Sequence, residues 1–381
     1  MNFYLFYHSL VSDWNHGNAH FLRGIISSLQ SEGHNVQVYE PVTGWSFNNM
    51  LKYHGINTIK DFNKKFPFHK TNFYSPDEFN PGEILHDADV VIVHEWNDPE
   101  IVQKIGEHKL IKGNYQLYFH DTHHRSVTDS KSMQQYDLRY YDGVLAFGNV
   151  IRDIYKQKYG IKNVWTWHEA ADTNIFTPPG KKNKKEGDLV WIGNWGDNER
   201  TSELLEYIIE PVKKLGLKAK FYGVRYPKHA LRALEEANIE YGGWIPNFKV
   251  PEIFSKYRVT VHVPRRPYVE SLPGIPTIRP FEALSCGIPL ICSPWNDNEK
   301  LFRQGEDYLM AHDGSEMINH LKTILEKEQS ADLQIKKGLE IICKKHTCNH
   351  RKDELLNIIN GTKEVQNEKV ITYLTGKKYL A

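Results

Sequence analysis

The sequence predicts an α/β protein of two domains, each a parallel sheet wrapped by helices, facing each other across a cleft. Three observations predict it. The chain has 381 residues, about right for two domains of roughly 150 residues each plus a crossing segment. Short apolar runs alternate with helix-length stretches through both halves, the grammar of parallel strands joined by helical crossovers. Between the halves, residues 177–188 form a Pro, Gly and Lys cluster with no apolar side chain for a core to hold.

The first element is an aromatic and aliphatic strand at residues 2–7. After a polar loop, Phe21, Leu22, Ile25, Ile26 and Leu29 fall on one face of a helix that Gly33 stops. A strand at 36–39 completes a strand–helix–strand unit whose short connections favour a right-handed parallel crossover, the opening of a Rossmann-like sheet. Residues 40–87, rich in Phe, Asn, Lys and Pro with weak periodicity, read only as an irregular insertion with one helix. Further strands are expected at 89–94, 116–120, 143–147 and 163–168. Beyond the linker the pattern restarts, with strands at 189–192, 218–222, 259–263 and 288–292. A helix after Glu199 buries Leu204, Leu205, Ile208, Ile209 and Val212, with Pro211 bending or ending it, and another helix spans 228–237. From about residue 315 the chain reads as helical. The expected organisation is a first domain at 1–172, a linker at 173–188, a second domain at 189–350, and a tail at 351–381, including Lys377 and Lys378, packing back on the first domain.

Composition narrows the function classes. Lys plus Arg number 48 against 47 Asp plus Glu, a formal net charge of +1, so there is no global field for nucleic acid or anionic lipid and any anion site must be local. Nucleic acid is therefore a disfavoured partner. No run approaches the roughly 18 apolar residues of a membrane span, and the N-terminal run lacks a basic region and a cleavage site. The four cysteines, Cys286, Cys292, Cys343 and Cys348, form no C-x-x-C pair. A reduced, cytoplasmic protein is expected.

In open α/β sheets ligands sit beyond the carboxyl ends of strands, where helix N-termini and backbone amides converge. The richest such loop runs from Arg265 to Pro289. It leads through Pro276, Thr277, Ile278 and Arg279 into a helix that Gly287 closes. Amides of residues 276–279 and the positive helix end suit a diphosphate, Glu282 suits a ribose, and Arg265 and Arg266 suit the charge growing on a leaving phosphate. The loop Gly193-Asn194-Trp195-Gly196-Asp197, with Arg200 nearby, permits close backbone approach to phosphate or sugar, though it is also a plain tight turn. In the first half, Asp13 and His16 are positioned for an acceptor hydroxyl, Gly17 for close approach, and Asn18 for capping the next helix. The run His120-Asp121-Thr122-His123-His124-Arg125 offers His120 and Asp121 to the transferred sugar or acceptor and His124 and Arg125 to acceptor or diphosphate. Its spacing lacks a His-x-x-x-His face, so metal is not expected.

The stretch Arg279-Pro280-Phe281-Glu282-Ala283-Leu284-Ser285-Cys286-Gly287-Ile288-Pro289 resembles the donor-site helix of retaining GT-B glycosyltransferases. Residues 167–310 resemble the bacterial glycosyltransferase group 1 and CgeB-like proteins. The matching signposts are His168-Glu169-Ala170-Ala171-Asp172 with Phe176 and Pro178, Gly193 to Asp197, Gly242-Gly243-Trp244, and the Arg265–Pro289 loop. The resemblance implies two Rossmann-like domains in the GT-B arrangement. It also implies transfer of a sugar from a nucleotide diphosphate, a UDP-sugar first, to a glycan, protein, lipid or small molecule, without metal or cofactor and with retention. One departure stands out: eight positions before Glu282, where the family pattern has Glu, this chain has Gly274, and Glu270 is the nearest carboxylate in that loop. If configuration is inverted instead, Asp13, His16 or Asp121 must act as base. A GT-B epimerase or hydrolase, or a silent sugar-nucleotide-binding protein, would use the same pocket.

Overall fold

The computed structural model describes residues 1–180 and 184–377, the stretch 365–377 by its backbone alone. Lys181, Lys182 and Asn183 of the expected linker and Lys378 of the expected tail lie outside the described residues. Two parallel sheets form. The first contains β1 (Asn2–Phe6), β2 (Asn35–Pro41), β3 (Thr71–Tyr74), β4 (Val90–His94), β5 (Gln116–Asp121), β6 (Gly143–Ala146) and β7 (Val164–Thr166), in the order β3-β2-β1-β4-β5-β6-β7. The second contains β8 (Gly187–Ile192), β9 (Ala219–Tyr222), β10 (Glu240–Tyr241), β11 (Tyr257–His262), β12 (Leu290–Cys292) and β13 (Leu309–Met310), in the order β10-β9-β8-β11-β12-β13. Val90 to His94 are all buried, as expected of a central strand covered by helices on both faces.

The strand order fixes where a ligand can lie. In the first sheet the chain builds outward from β1 through β2 and β3, then returns to β4 on the other side of β1. The second sheet repeats this around β8 and β11. Each reversal leaves a crevice beyond the carboxyl ends of the two central strands, because their connections run off in opposite directions. The loops after β1, β4, β8 and β11 are thus the four that converge on the space between the sheets.

One apolar cluster bridges the two halves, running from Phe21 and Trp167 through Phe281 to Tyr308 and Cys348. The final helix, Cys348–Lys377, turns back onto the first sheet: Trp167 Nε1 donates to Arg351 O at 2.8 Å, and Gln116 Nε2 donates to Ile359 O at 3.0 Å. All four cysteine thiols are free. Among the described residues no helix is long and apolar enough to cross a membrane.

Residues 40–87 depart from the expected irregular insertion. They form helices Trp45–His54 and Asn57–Lys65, the strand β3 and a short helix Pro81–Ile84. The first of these buries only Ser46 and Met50 and the second only Phe62, so little periodicity is written into them. Around Pro211 the helix neither ends nor breaks; a π-helical stretch, Leu205–Ile209, precedes Glu210–Leu215 and absorbs the missing N–H. Asn18 makes no side-chain cap to its helix, Ala19–Ser31: its backbone is already helical rather than extended, and its Nδ2 donates across to Thr122 Oγ1.

Candidate functional site

A cleft of about 780 Å³ lies between the sheets, within the usual range for a small-molecule site. The loop after β1 supplies His8, Asp13, His16, Gly17 and Asn18; the loop after β4 supplies Trp96. Facing them, the loop after β8 supplies Gly193, Asn194 and Arg200, and the loop after β11 supplies Arg265, Tyr268, Thr277, Ile278 and Arg279. The walls are already in contact. Asn247 N donates to Asp13 Oδ2 at 3.0 Å, Asn194 Nδ2 donates to Asn15 Oδ1 at 2.5 Å, and His20 Nδ1 lies 3.3 Å from Glu282 Oε1.

The second-domain wall is cationic. Arg200 donates to Val263 O at 2.6 Å and Asn194 O at 2.7 Å, both neutral, and its buried Nε has no hydrogen-bond partner. Burial, with Arg265 adding repulsion, lowers its pKa to about 9. Arg265 pairs with Glu199 at 3.0 Å and also donates to Asn194 Oδ1 at 3.1 Å. Arg279 is held through its buried Nη1 in an ion pair with Glu282 Oε2. The same field appears at His262: burial, then Arg200 and Arg279, lowers its pKa to about 3. Thr277 holds a φ of +57° immediately before the helix Ile278–Ser285. A β-branched residue adopts this region at a cost of order 1–3 kcal/mol, which the surrounding loop must impose.

The first-domain wall is imidazole and indole. His8 and His16 have ring centroids 3.8 Å apart, and His123 and His124 lie 3.9 Å apart. Burial lowers the pKa of His8 to about 3, with Arg125 contributing, and carries those of His16 and His123 well below the ordinary value. These rings are neutral at physiological pH. His8, His16 and His123 line the cleft, and His8 Nδ1, His16 Nε2 and His123 Nδ1 are buried there without a hydrogen-bond partner, which leaves them available to a hydroxyl. Trp45 and Trp96 are half exposed at its rim. Among the described residues no group of three or more His, Cys, Asp or Glu side chains is arranged to hold a metal ion.

Several residues expected in the site stand elsewhere. His120 and Asp121 do not reach the cleft, because β5 continues through both and buries them. His120 Nδ1 meets Tyr7 Oη at 2.7 Å, and Asp121 accepts from Tyr155 Oη at 2.9 Å. Trp195 is fully buried in the second core, donating Nε1 to Thr201 Oγ1 at 2.9 Å; Gly196, at φ +94°, turns the loop back over it. Arg266 opens the helix Arg266–Glu270 and points to Glu203, with 2.7 Å between Nε and Oε1. His124 is closed off by Tyr268 and bonds Thr128 at 2.8 Å. Arg125 lies over the Trp96 ring, 4.1 Å from its centroid, and pairs with buried Glu95. Pro276 is buried behind the loop rather than lining it.

Glu282 is fully buried, and its carboxylate is engaged by Arg279, His20 and Asn247 Nδ2, the last at 2.6 Å. Burial alone would raise its pKa, but these three groups outweigh it and hold the carboxyl below the ordinary value. Glu270 is exposed and does not line the cleft. Gly274 has a φ of +92°, and a Cβ there would stand 2.8 Å from Glu299 Cγ, so this backbone has no place for a carboxylate. Glu299 fills the space and accepts from Asn149 N at 2.7 Å and His168 Nε2 at 2.9 Å. Cleft residues that sequence reasoning did not assign to the site include His8, Trp96, His123, Glu169, Trp244, His262 and Tyr268. Of these, His123, Glu169, Trp244 and Tyr268 sat inside quoted motifs, while His8 and His262 carry no spacing signal.

The family model described as Glycosyl transferase-like matches residues 200–357, a match that does not separate a CgeB-like subgroup. Among curated proteins, none matches. The fold is that of solved GT-B structures. Sucrose-phosphate synthase from Thermosynechococcus elongatus is similar with a TM-score of 0.66 at 12% identity, over 96% of this chain and 100% of that one. An α-glucosyltransferase in complex with UDP and a 13-mer DNA containing a HMU base gives 0.68 at 12%, over 94% and 99%. Anabaena HepE in complex with UDP and glucose gives 0.63 at 11%, over 95% and 100%.

Proposed function

We propose that this chain, a glycosyltransferase of the GT-B fold, takes a sugar from a nucleoside diphosphate, a UDP-sugar first, and transfers it to an acceptor hydroxyl. The observation that carries the reading is the convergence of Arg200, Arg265 and Arg279 on one wall of the cleft, where Arg265 and Arg279 each have a carboxylate partner but buried Arg200 meets no anion among the described residues. A diphosphate supplies the missing charge. Guanidinium groups and the N-terminus of the helix Ile278–Ser285 bind it in the ground state and stabilise it further as the sugar departs. With three cations in place, the leaving phosphate is neutralised by side chains, so transfer is proposed to need neither metal nor cofactor. UDP is favoured because two of the fold relatives above carry it in their complexes.

The acceptor belongs to the first-domain wall. Neutral His8, His16 and His123 offer ring nitrogens to hydroxyls, and Trp45 and Trp96 offer flat apolar faces at the rim. A hydroxyl-rich glycan or glycoside fits such a wall better than a charged ligand. Thermal shift with UDP, GDP, dTDP and CMP compounds tests the donor half. The nucleotide that fits should stabilise the protein by about 2.7 kcal/mol at 100 times its Kd. No shift with any diphosphate would remove the reading.

A further inference from the structure

We infer that Glu169 is a catalytic residue of this cleft, the base that takes the proton from the acceptor hydroxyl as the sugar is transferred. The inference rests on the sugar-transfer reading. Glu169 sits in the loop that follows β7 and crosses from the first domain to the second. It is 3% exposed, lines the cleft, and its Oε1 has no hydrogen-bond partner among the described residues. Burying a carboxyl without a partner is costly, and a fold that needed only packing here would place an apolar side chain.

The other candidate bases are each disabled by their surroundings. Asp13 lines the cleft but is tied to Arg23 at 2.9 Å and to the Asn247 amide at 3.0 Å. His16 is buried, with the His8 ring against it and the Arg23 charge adding repulsion, so protonating it is unfavourable. Glu95 is paired with Arg125, and Asp121 is sealed in β5. Asp13 also has an unpartnered Oδ1, and burial raises its pKa, but its other oxygen is held in the Arg23 ion pair. Glu169 alone of these carboxylates lines the cleft with an unpaired oxygen and without any cationic partner among the described residues.

Its surroundings ready it to take up a proton. Burial raises its pKa to about 8, with Glu282 of the donor helix adding like-charge repulsion. Glu282 is itself held by Arg279 and His20. The remaining titratable neighbours are Tyr268, which burial keeps protonated; Cys348, whose thiol burial likewise keeps protonated; and, on its own loop, Asp172 and His168. Arg351 donates to His168 O at 3.1 Å rather than to Glu169. None of these cations forms an ion pair with Glu169 among the described residues.

The step balances without another reactant. The acceptor oxygen forms a bond to the anomeric carbon, the bond from that carbon to the phosphate oxygen breaks, and its electron pair leaves on the nucleoside diphosphate. The acceptor proton passes to the Glu169 carboxylate. With a side-chain base the displacement is single, so the anomer inverts, in contrast to the retention that the family resemblance implies.

The test uses UDP and UDP-glucose, with water standing for the acceptor. Glu169→Gln should bind UDP within about twofold of wild type yet release glucose roughly 100-fold more slowly or worse. In wild type, release should rise with pH through Glu169's pKa, and UDP affinity should weaken over the same interval as a carboxylate charge appears near the diphosphate. Both dependences should vanish in the variant. Undiminished glucose release by Glu169→Gln, or a pH dependence of UDP affinity identical in both proteins, would overturn the assignment. If Glu169→Gln does not fold, Glu169→Asp replaces it, and an unmoved pH dependence of UDP affinity would have the same force. Failure of wild type to bind UDP would instead remove the donor reading beneath it.

Discussion

Arg200 is the side chain whose environment makes least sense without a ligand. It is held among carbonyl oxygens, lies 5.2 Å from the Trp191 ring centroid, and forms no ion pair among the described residues. Replacing it with Met should weaken UDP binding by roughly 10-fold to 100-fold, the range of a hydrogen bond to a charged group, as read by calorimetry. Arg266→Ala is the matching control: its partner is Glu203 outside the cleft, so UDP affinity should be unchanged. The sequence treats Arg265 and Arg266 alike because adjacency cannot tell which way each leaves the backbone. Arg266 becomes the first residue of a helix, and that turn separates them. Glu282 and Glu169 show the opposite limit. Glu282 is legible from its place in a helix after a loop, but its carboxylate is already engaged by Arg279, His20 and Asn247. Glu169 lies in a crossing loop without periodicity, and its character comes from the two domains closing over it.

At the scale of elements, the strands of both sheets are legible because buried parallel strands are continuous apolar runs, as at Val90–His94 and Tyr257–His262. The helices of residues 45–65 are not, since they bury so few side chains. Loop geometry is equally hidden. Gly223 follows β9 with a φ of +154°, and a Cβ there would overlap Gly193 O, the backbone of the donor-side loop. Gly193 N donates to Tyr222 O at 2.8 Å, and Tyr226 Oη donates to Gly193 O at 2.9 Å, so this loop has no slack on that side. Gly223→Ala should therefore push the Gly193–Asn194 turn into the cleft, weakening UDP binding at least about 10-fold, a cost of roughly 1.4 kcal/mol, while the melting temperature moves less than for a core truncation. Equal affinity in the variant would mean the donor does not depend on that turn.

At the scale of the whole molecule, the cleft exists only if the two sheets are held at a fixed separation, and the holding is concentrated where the helix Ala19–Ser31 meets the crossing loop and the last helix. Gly24 is the contact. A Cβ at that position would stand 2.8 Å from Asp172 Cβ and would collide with Cys348 Sγ, so the crossing loop and the returning helix both close on a bare backbone. The same helix carries His20, whose Nδ1 lies 3.3 Å from Glu282 on the donor side and whose Nε2 accepts from Asp172 N at 2.7 Å. Gly24→Ala should wedge these elements apart, costing about 1–3 kcal/mol as overpacking does. The loss should appear both as a lower melting temperature and as weaker UDP binding, because the wedge moves His20 away from Glu282. Cys348→Ala on that background removes the sulfur that the new methyl meets and should restore part of both quantities. A double-mutant cycle that gives strict additivity, with no recovery, would show that the first domain and the returning helix are not coupled through this contact.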